Sequence, residues 1–149
     1  MTSDPDLQVK RLRPSAMLPQ RGTPHSSGLD VYADLKDAGG SIDLSLQPQL
    51  IPTGIAIAVP AGFEVQLRPR SGLSKRGVVV AFGTVDADYR GEVFVNMSSP
   101  GANGGRFRIE HGERIAQLVV APVVLAAVVE VDELSDTARG DGGFGSTGR

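Results

Sequence analysis

The segment Gly83-Thr84-Val85-Asp86-Ala87-Asp88-Tyr89-Arg90-Gly91-Glu92 sets two aspartates and a tyrosine between two glycines. In an extended segment Asp86 and Asp88 face the same side. A carboxylate beside a phosphate pocket can take a proton from water as a general base. The plain alternative is an Asp-rich turn bonded to its own backbone. Arg68-Pro69-Arg70-Ser71-Gly72-Leu73-Ser74-Lys75-Arg76-Gly77 holds four cations in ten residues. Arg70, Ser71 and Gly72, opening a turn at a strand end, offer a forked cation, a hydroxyl and free N–H groups to an anion. A solvated basic edge against aggregation is the other reading.

Three further segments carry polar groups of possible use. In Gly112-Glu113-Arg114-Ile115-Ala116-Gln117-Leu118, Gln117 is an amide inside an apolar strand, and a buried amide needs a partner, ligand or backbone. Asp30 in Ser26-Ser27-Gly28-Leu29-Asp30 reads on its own as an outward acid on a half-buried strand. Gly143-Phe144-Gly145-Ser146-Thr147-Gly148 fits G-x-G-x-x-G. Its dinucleotide reading needs a flanking strand and helix, and neither pattern surrounds it. Glycines still let N–H groups close on phosphate oxygens, with hydroxyls from Ser146 and Thr147 and charge from Arg139 and Arg149. Phe144 is out of place in a polar tail unless it stacks on something flat.

Composition bounds these readings. A chain of 149 residues, 40% hydrophobic and 21% charged, suits one ordinary globular domain. The net charge of -2 argues against a nucleic-acid coat, though not against a local cationic pocket. No cysteine and only two histidines, His25 and His111, leave no thiolate nucleophile and no His-rich metal site. Met1 to Arg13 alternates charge without an apolar run. The most apolar stretch, Leu118 to Val129, holds Pro122 and is well short of the about 20 residues of a bilayer span. A cytoplasmic protein with no membrane partner is the expectation.

The elements that must position these residues follow period two, not 3.6. Leu29, Val31 and Ala33 share one face of a strand; Asp30, Tyr32 and Asp34 share the other. Similar runs span Leu7–Leu12, Ser41–Leu46, Gly54–Val59, Phe63–Arg68, Val78–Phe82, Glu92–Met97, Phe107–Glu110, Arg114–Ala121 and Val123–Val131. Nineteen glycines and ten prolines make about a fifth of the chain, so it turns often. One helical turn is expected around Ser71 to Arg76, ended by Gly77. About ten short strands with almost no helix predict an all-β fold, a distorted jelly roll or β-sandwich. That domain should occupy residues 1–136, with residues 137–149 a flexible Gly-rich C-terminal tail.

Taken together, the five segments resemble, in order and over nearly the whole chain, the five motifs of the trimeric deoxyuridine triphosphatases (dUTPases). They look like that family's A-G-x-D, P-R-S-G-L, G-x-I-D-x-D-Y-R-G, G-[DE]-R-I-A-Q and R-G-x-G-G-F-G-S-T-G. This chain departs at Ser27 for alanine, Val85 for isoleucine, and Phe82 before Gly83. The resemblance implies a jelly roll, a homotrimer with sites between subunits, and Mg²⁺-assisted hydrolysis of dUTP to dUMP and pyrophosphate. It implies that Asp86 is the catalytic base and that Tyr89 packs under the deoxyribose, leaving no room for a 2′-hydroxyl. The hairpin Gly83, Thr84 and Val85 would read the uracil edge. Arg70, Ser71, Gly72 and Gln117 would bind phosphate. Arg139, Gly145, Ser146 and Thr147 would close on the γ-phosphate side, with Phe144 on the uracil, as the tail of one chain covers a neighbour's site. Asp30 would stand near the water shell of a Mg²⁺ held mainly by substrate phosphates. The related dCTP deaminase branch shares the fold, but Asn96 stands where its glutamate is expected. A jelly-roll module that binds nucleotide without turnover is the non-enzymatic alternative.

Overall fold

A computed structural model describes residues 4–101 and 106–143. Eleven short strands are formed among them: β1 (Gln8–Arg11), β2 (Leu29–Tyr32), β3 (Ser41–Leu44), β4 (Gln49–Pro52), β5 (Ile55–Ala58), β6 (Phe63–Arg68), β7 (Val79–Val80), β8 (Gly83–Val85), β9 (Phe94–Ser98), β10 (Phe107–Glu110) and β11 (Arg114–Pro122). A helix of one turn, α1 (Ser71–Lys75), follows β6, and Gly77 behind it takes a φ of 83°. No helix of the described residues is long and apolar enough to cross a membrane.

The largest sheet runs β2-β11-β6-β8, with β4-β9-β7, β1-β5 and β10-β3 completing a distorted sandwich of the jelly-roll type. Every strand pair is antiparallel. The sheets close on one apolar core that includes Val31, Ile51, Ile55, Val65, Val95, Met97, Ile109, Ile115 and Leu118. In β11 strict alternation breaks where Ile115 and Ala116 are both buried, because the pairing with β2 shifts between Arg114 and Ala116. The bulge turns two successive side chains inward and leaves Gln117 on the rung beside Asp30.

The expected strand over Val123–Val131 is not formed. After Val123, whose N–H bonds the Gly62 carbonyl at 2.8 Å, the chain finds no strand partner. Its apolar side chains stand in solvent, with Val124 91% and Val128 100% exposed. The β pattern is present in the residues, but no strand edge among the described residues takes them. Of the two geometries open to Asp86 and Asp88, extended or turned, the structure forms the turn: Tyr89 N–H bonds Asp86 O at 3.1 Å.

A charged cluster ties the sandwich together on one side. Arg13, just past β1, donates through Nε to Asp34 at 2.8 Å and through its two terminal nitrogens to Glu92 at 3.1 and 2.5 Å. Glu92 also accepts from Gly54 N–H at 2.9 Å. The Arg13 hydrogen bonds hold the Glu92 carboxyl below its ordinary range. Burial works to raise the Asp34 carboxyl, but hydrogen bonding from Ser15 and Arg13 outweighs it and the group also lies low. Gly54 has a φ of 69°, and a Cβ there would run into the Asp34 carboxylate and approach Ala16 Cβ to 2.7 Å. Strained backbone and a displaced buried carboxylate then act together, so Gly54→Ala is expected to destabilise the fold by about 3 kcal/mol or more. A lowered denaturation midpoint in urea checks this; a midpoint within error of the wild type would mean the turn adapts freely.

Candidate active site

The phosphate-type residues gather at one end of the large sheet. Register does the gathering: Gln117 in β11 pairs with Asp30 in β2 on one side and Arg68 in β6 on the other. The chain leaves β6 through Pro69 and turns into α1. Gln117 Nε2 donates to Pro69 O at 2.9 Å, which fixes the start of that turn. The amide fits because Gly28 lies against it; a Cβ on Gly28 would overlap Gln117 Oε1. Arg70 is extended, with φ -101° and ψ 133°, and its side chain does not cap the helix. Its Nε instead donates to Asp30 at 2.8 Å. Arg114 lies 3.5 Å from the other oxygen of the same carboxylate. Two guanidiniums thus share one acid, and net positive charge remains. The N–H groups of Ser71 and Gly72 belong to the first turn, where a helix offers them no carbonyl. Exposed N–H groups, the Ser71 hydroxyl and Arg70 thus present several donors and a positive charge on one side of the turn, a set able to accept an anion.

The residues expected at the base and the sugar form a second group. β8 pairs with β6 through Gly83 against Leu67 and Val85 against Val65. Beyond it lies a groove of about 280 Å³ lined by residues including Gly83, Thr84, Val85, Asp86, Tyr89 and Glu92. Asp86 is exposed at the end of β8. The Tyr89 ring folds over Gly91, where a Cβ would come within 2.5 Å of Tyr89 Cζ, and its hydroxyl donates to Glu92 O at 2.9 Å. Glycine at 91 is what leaves room for the ring in this position.

The two groups are far apart within one chain. By the β6–β8 register Asp86 stands opposite Glu64, while Arg70 lies six residues further along, so the two are separated by about 20 Å. Asp86 and Tyr89 therefore meet each other but not Asp30, Arg70, Ser71, Gly72 or Gln117 of the same chain. Arg139 is exposed and its Nε donates to Gly142 O at 2.8 Å. Phe144, Gly145, Ser146 and Thr147 lie outside the described residues. Sequence reasoning missed Glu92 as a lining residue and Arg114 as a second partner of Asp30. Glu92 carried one signal, its place directly after Gly91.

Residues 15–148 match the sequence model of the dUTPase family. Among solved structures, the chain is similar to the dUTPase of Staphylococcus bacteriophage 80alpha with dUPNHPP, with a TM-score of 0.84 and 29% identity over 97% of this chain and 99% of that one. The dUTPase from phage phi11 of S. aureus shares the fold with a TM-score of 0.76 at 23% identity, over 89% of this chain and 99% of that one. A sequence match over nearly the whole length, on a fold that similar dUTPases share, leads to one conclusion: the chain belongs to the dUTPase family.

Proposed function

We propose that this protein hydrolyses dUTP to dUMP and pyrophosphate at sites shared between copies of the chain in a homotrimer. The observation that carries the shared site is the separation of about 20 Å between Asp86 and Arg70, since a base and a phosphate cradle must flank one phosphorus atom. Two surfaces that find no partner among the described residues support assembly. One is the apolar arm after Pro122, including Val124, Leu125, Val128 and Val129; the other is the outer face of β4-β9-β7, with Leu50, Val79 and Phe94 exposed. The similar phage 80alpha dUTPase binds dUPNHPP, an analogue of the substrate.

In this reading uracil and deoxyribose enter the groove, with the backbone of Gly83, Thr84 and Val85 on the base edge and Tyr89 under the sugar. Arg70, Ser71, Gly72 and Gln117 of another copy hold the phosphates. Asp86 takes a proton from water as the water oxygen bonds to the α-phosphorus; the bond to the α–β bridging oxygen breaks and pyrophosphate leaves. The tail, with Arg139, Phe144, Gly145, Ser146 and Thr147, closes over the bound nucleotide and excludes water. In the cell this reaction keeps uracil out of DNA and supplies dUMP for thymidylate synthesis.

Among the described residues no three His, Cys, Asp or Glu side chains group as a metal cage. The Asp30 carboxylate at the phosphate end is already engaged by Arg70 and Arg114. That donor set suits Mg²⁺ held mainly by the triphosphate and its own waters, with Asp30 no closer than the water shell. When bound, the ion draws charge from the phosphate oxygens.

The test is pyrophosphate release from dUTP, dTTP, dCTP and UTP, side by side, with Mg²⁺. Release from dUTP alone is expected. Release from none, or ammonia from dCTP, overturns the reading.

A further inference from the structure

Tyr89 reaches the groove on a short lever, and what holds the lever runs from Glu92, at the end of the third segment, to Arg13, Asp34, Gly54 and Ile55, which lie outside all five. The Tyr89 hydroxyl bonds the Glu92 carbonyl. The peptide carrying that carbonyl is pinned from its other side, since Val93 N–H donates to Ile55 O at 2.9 Å. A trans peptide points its N–H and C=O in opposite directions, so this bond aims the Glu92 carbonyl away from the core, toward Tyr89. The Glu92 side chain is pinned as well. Arg13 grips both its carboxylate oxygens, and Gly54 N–H bonds one of them. Arg13 is in turn fixed by Asp34, whose side chain is only 2% exposed. The chain of contacts runs from a buried acid through Arg13 and Glu92 to the ring at the sugar position.

We propose that Arg13 and Glu92 are positioning residues for sugar selectivity: the Arg13–Glu92 clamp fixes the Glu92 carbonyl, and with it the height of the Tyr89 ring that excludes a 2′-hydroxyl. The inference rests on the reading of the groove as the deoxyribose site. It assigns a task to a charged cluster that lies behind the groove, reaches it only through Glu92, and is separate from the Arg70 group. A ring that sinks by a fraction of an ångström admits the extra hydroxyl of UTP and grips the deoxyribose less well. The effect then falls on KM and on discrimination rather than on the chemical step.

The experiment uses the full chain with Arg13→Lys and Glu92→Gln, each alone and combined with Tyr89→Phe. Lysine keeps the charge but loses the fork that spans two carboxylates. Glutamine keeps an acceptor for Gly54 N–H, so one variant survives if the other fails to fold. Each single variant is expected to lower the ratio of kcat/KM for dUTP over UTP by about tenfold, with the loss for dUTP larger in KM than in kcat. In the Tyr89→Phe background the same changes should add little, because the hydroxyl link is already cut. A ratio unchanged in the single variants, or an equal loss in both backgrounds, overturns the proposal. A second readout needs no turnover. The chain has two tyrosines, Tyr32 and Tyr89, so the Tyr89 ring signals can be followed by NMR without ligand. They should shift in both clamp variants, and unmoved signals count against the clamp. Absence of dUTP hydrolysis by the wild type would instead overturn the site reading, while the ring signals still report on the clamp.

Discussion

Asp86→Asn is expected to bind nucleotide at least as tightly as the wild type and to lose turnover by about 100- to 10,000-fold, the span that a general base contributes. Asparagine matches the carboxylate in shape and cannot accept the proton of the attacking water. Removing a negative charge beside a triphosphate favours binding of the anion rather than weakening it. Asp86 is exposed at the end of β8, so the change should leave the core untouched. Calorimetric titration with a non-hydrolysable analogue and single-turnover pyrophosphate release separate binding from chemistry. A variant that turns over at near the wild-type rate would take Asp86 out of the base role.

What the residues disclosed and what they concealed divide along the range of the interactions. Strand positions such as β2 and β6 follow from local alternation, and α1 from a short cationic turn ended by glycine. β4 was hidden because Pro48 and Pro52 bracket it and read as turn residues, although Pro52 sits at its end. The arm after Pro122 carries a strand pattern that meets no partner edge among the described residues, and period-two spacing cannot say where a partner lies. The tight turn at Asp86 depended on one backbone bond to Tyr89 that spacing does not predict. Residue types at the site were legible as five segments. Their grouping was not, since only the β6–β8 register reveals that Asp86 and Arg70 lie at opposite ends of a strand. The Arg13 cluster was invisible for the same reason: its partners stand 21 and 79 residues away. No local pattern links a cation to carboxylates at such distances.

The same register makes a prediction that few other site geometries share. Asp86→Asn and Arg70→Ala should each yield an inactive protein, one for want of a base and one for want of the phosphate fork. Co-refolded in equal amounts, they are expected to recover activity. If each site takes Asp86 from one copy and Arg70 from the next, every mixed trimer contains one boundary at which both are intact. Random mixing then gives about a quarter of the wild-type rate, since about three trimers in four are mixed and each holds one whole site of three. If Asp86 and Arg70 served a site within one chain, no mixture would assemble a whole site and activity would stay at the level of the separate variants. The readout is pyrophosphate release against mixing ratio, with a maximum at equal proportions. A flat profile from properly assembled mixed oligomers would rule out the shared site while leaving the assembly itself intact. Recovery would mean that the distance of about 20 Å within one chain is bridged by association, and that the unpartnered surfaces are part of how the site is built.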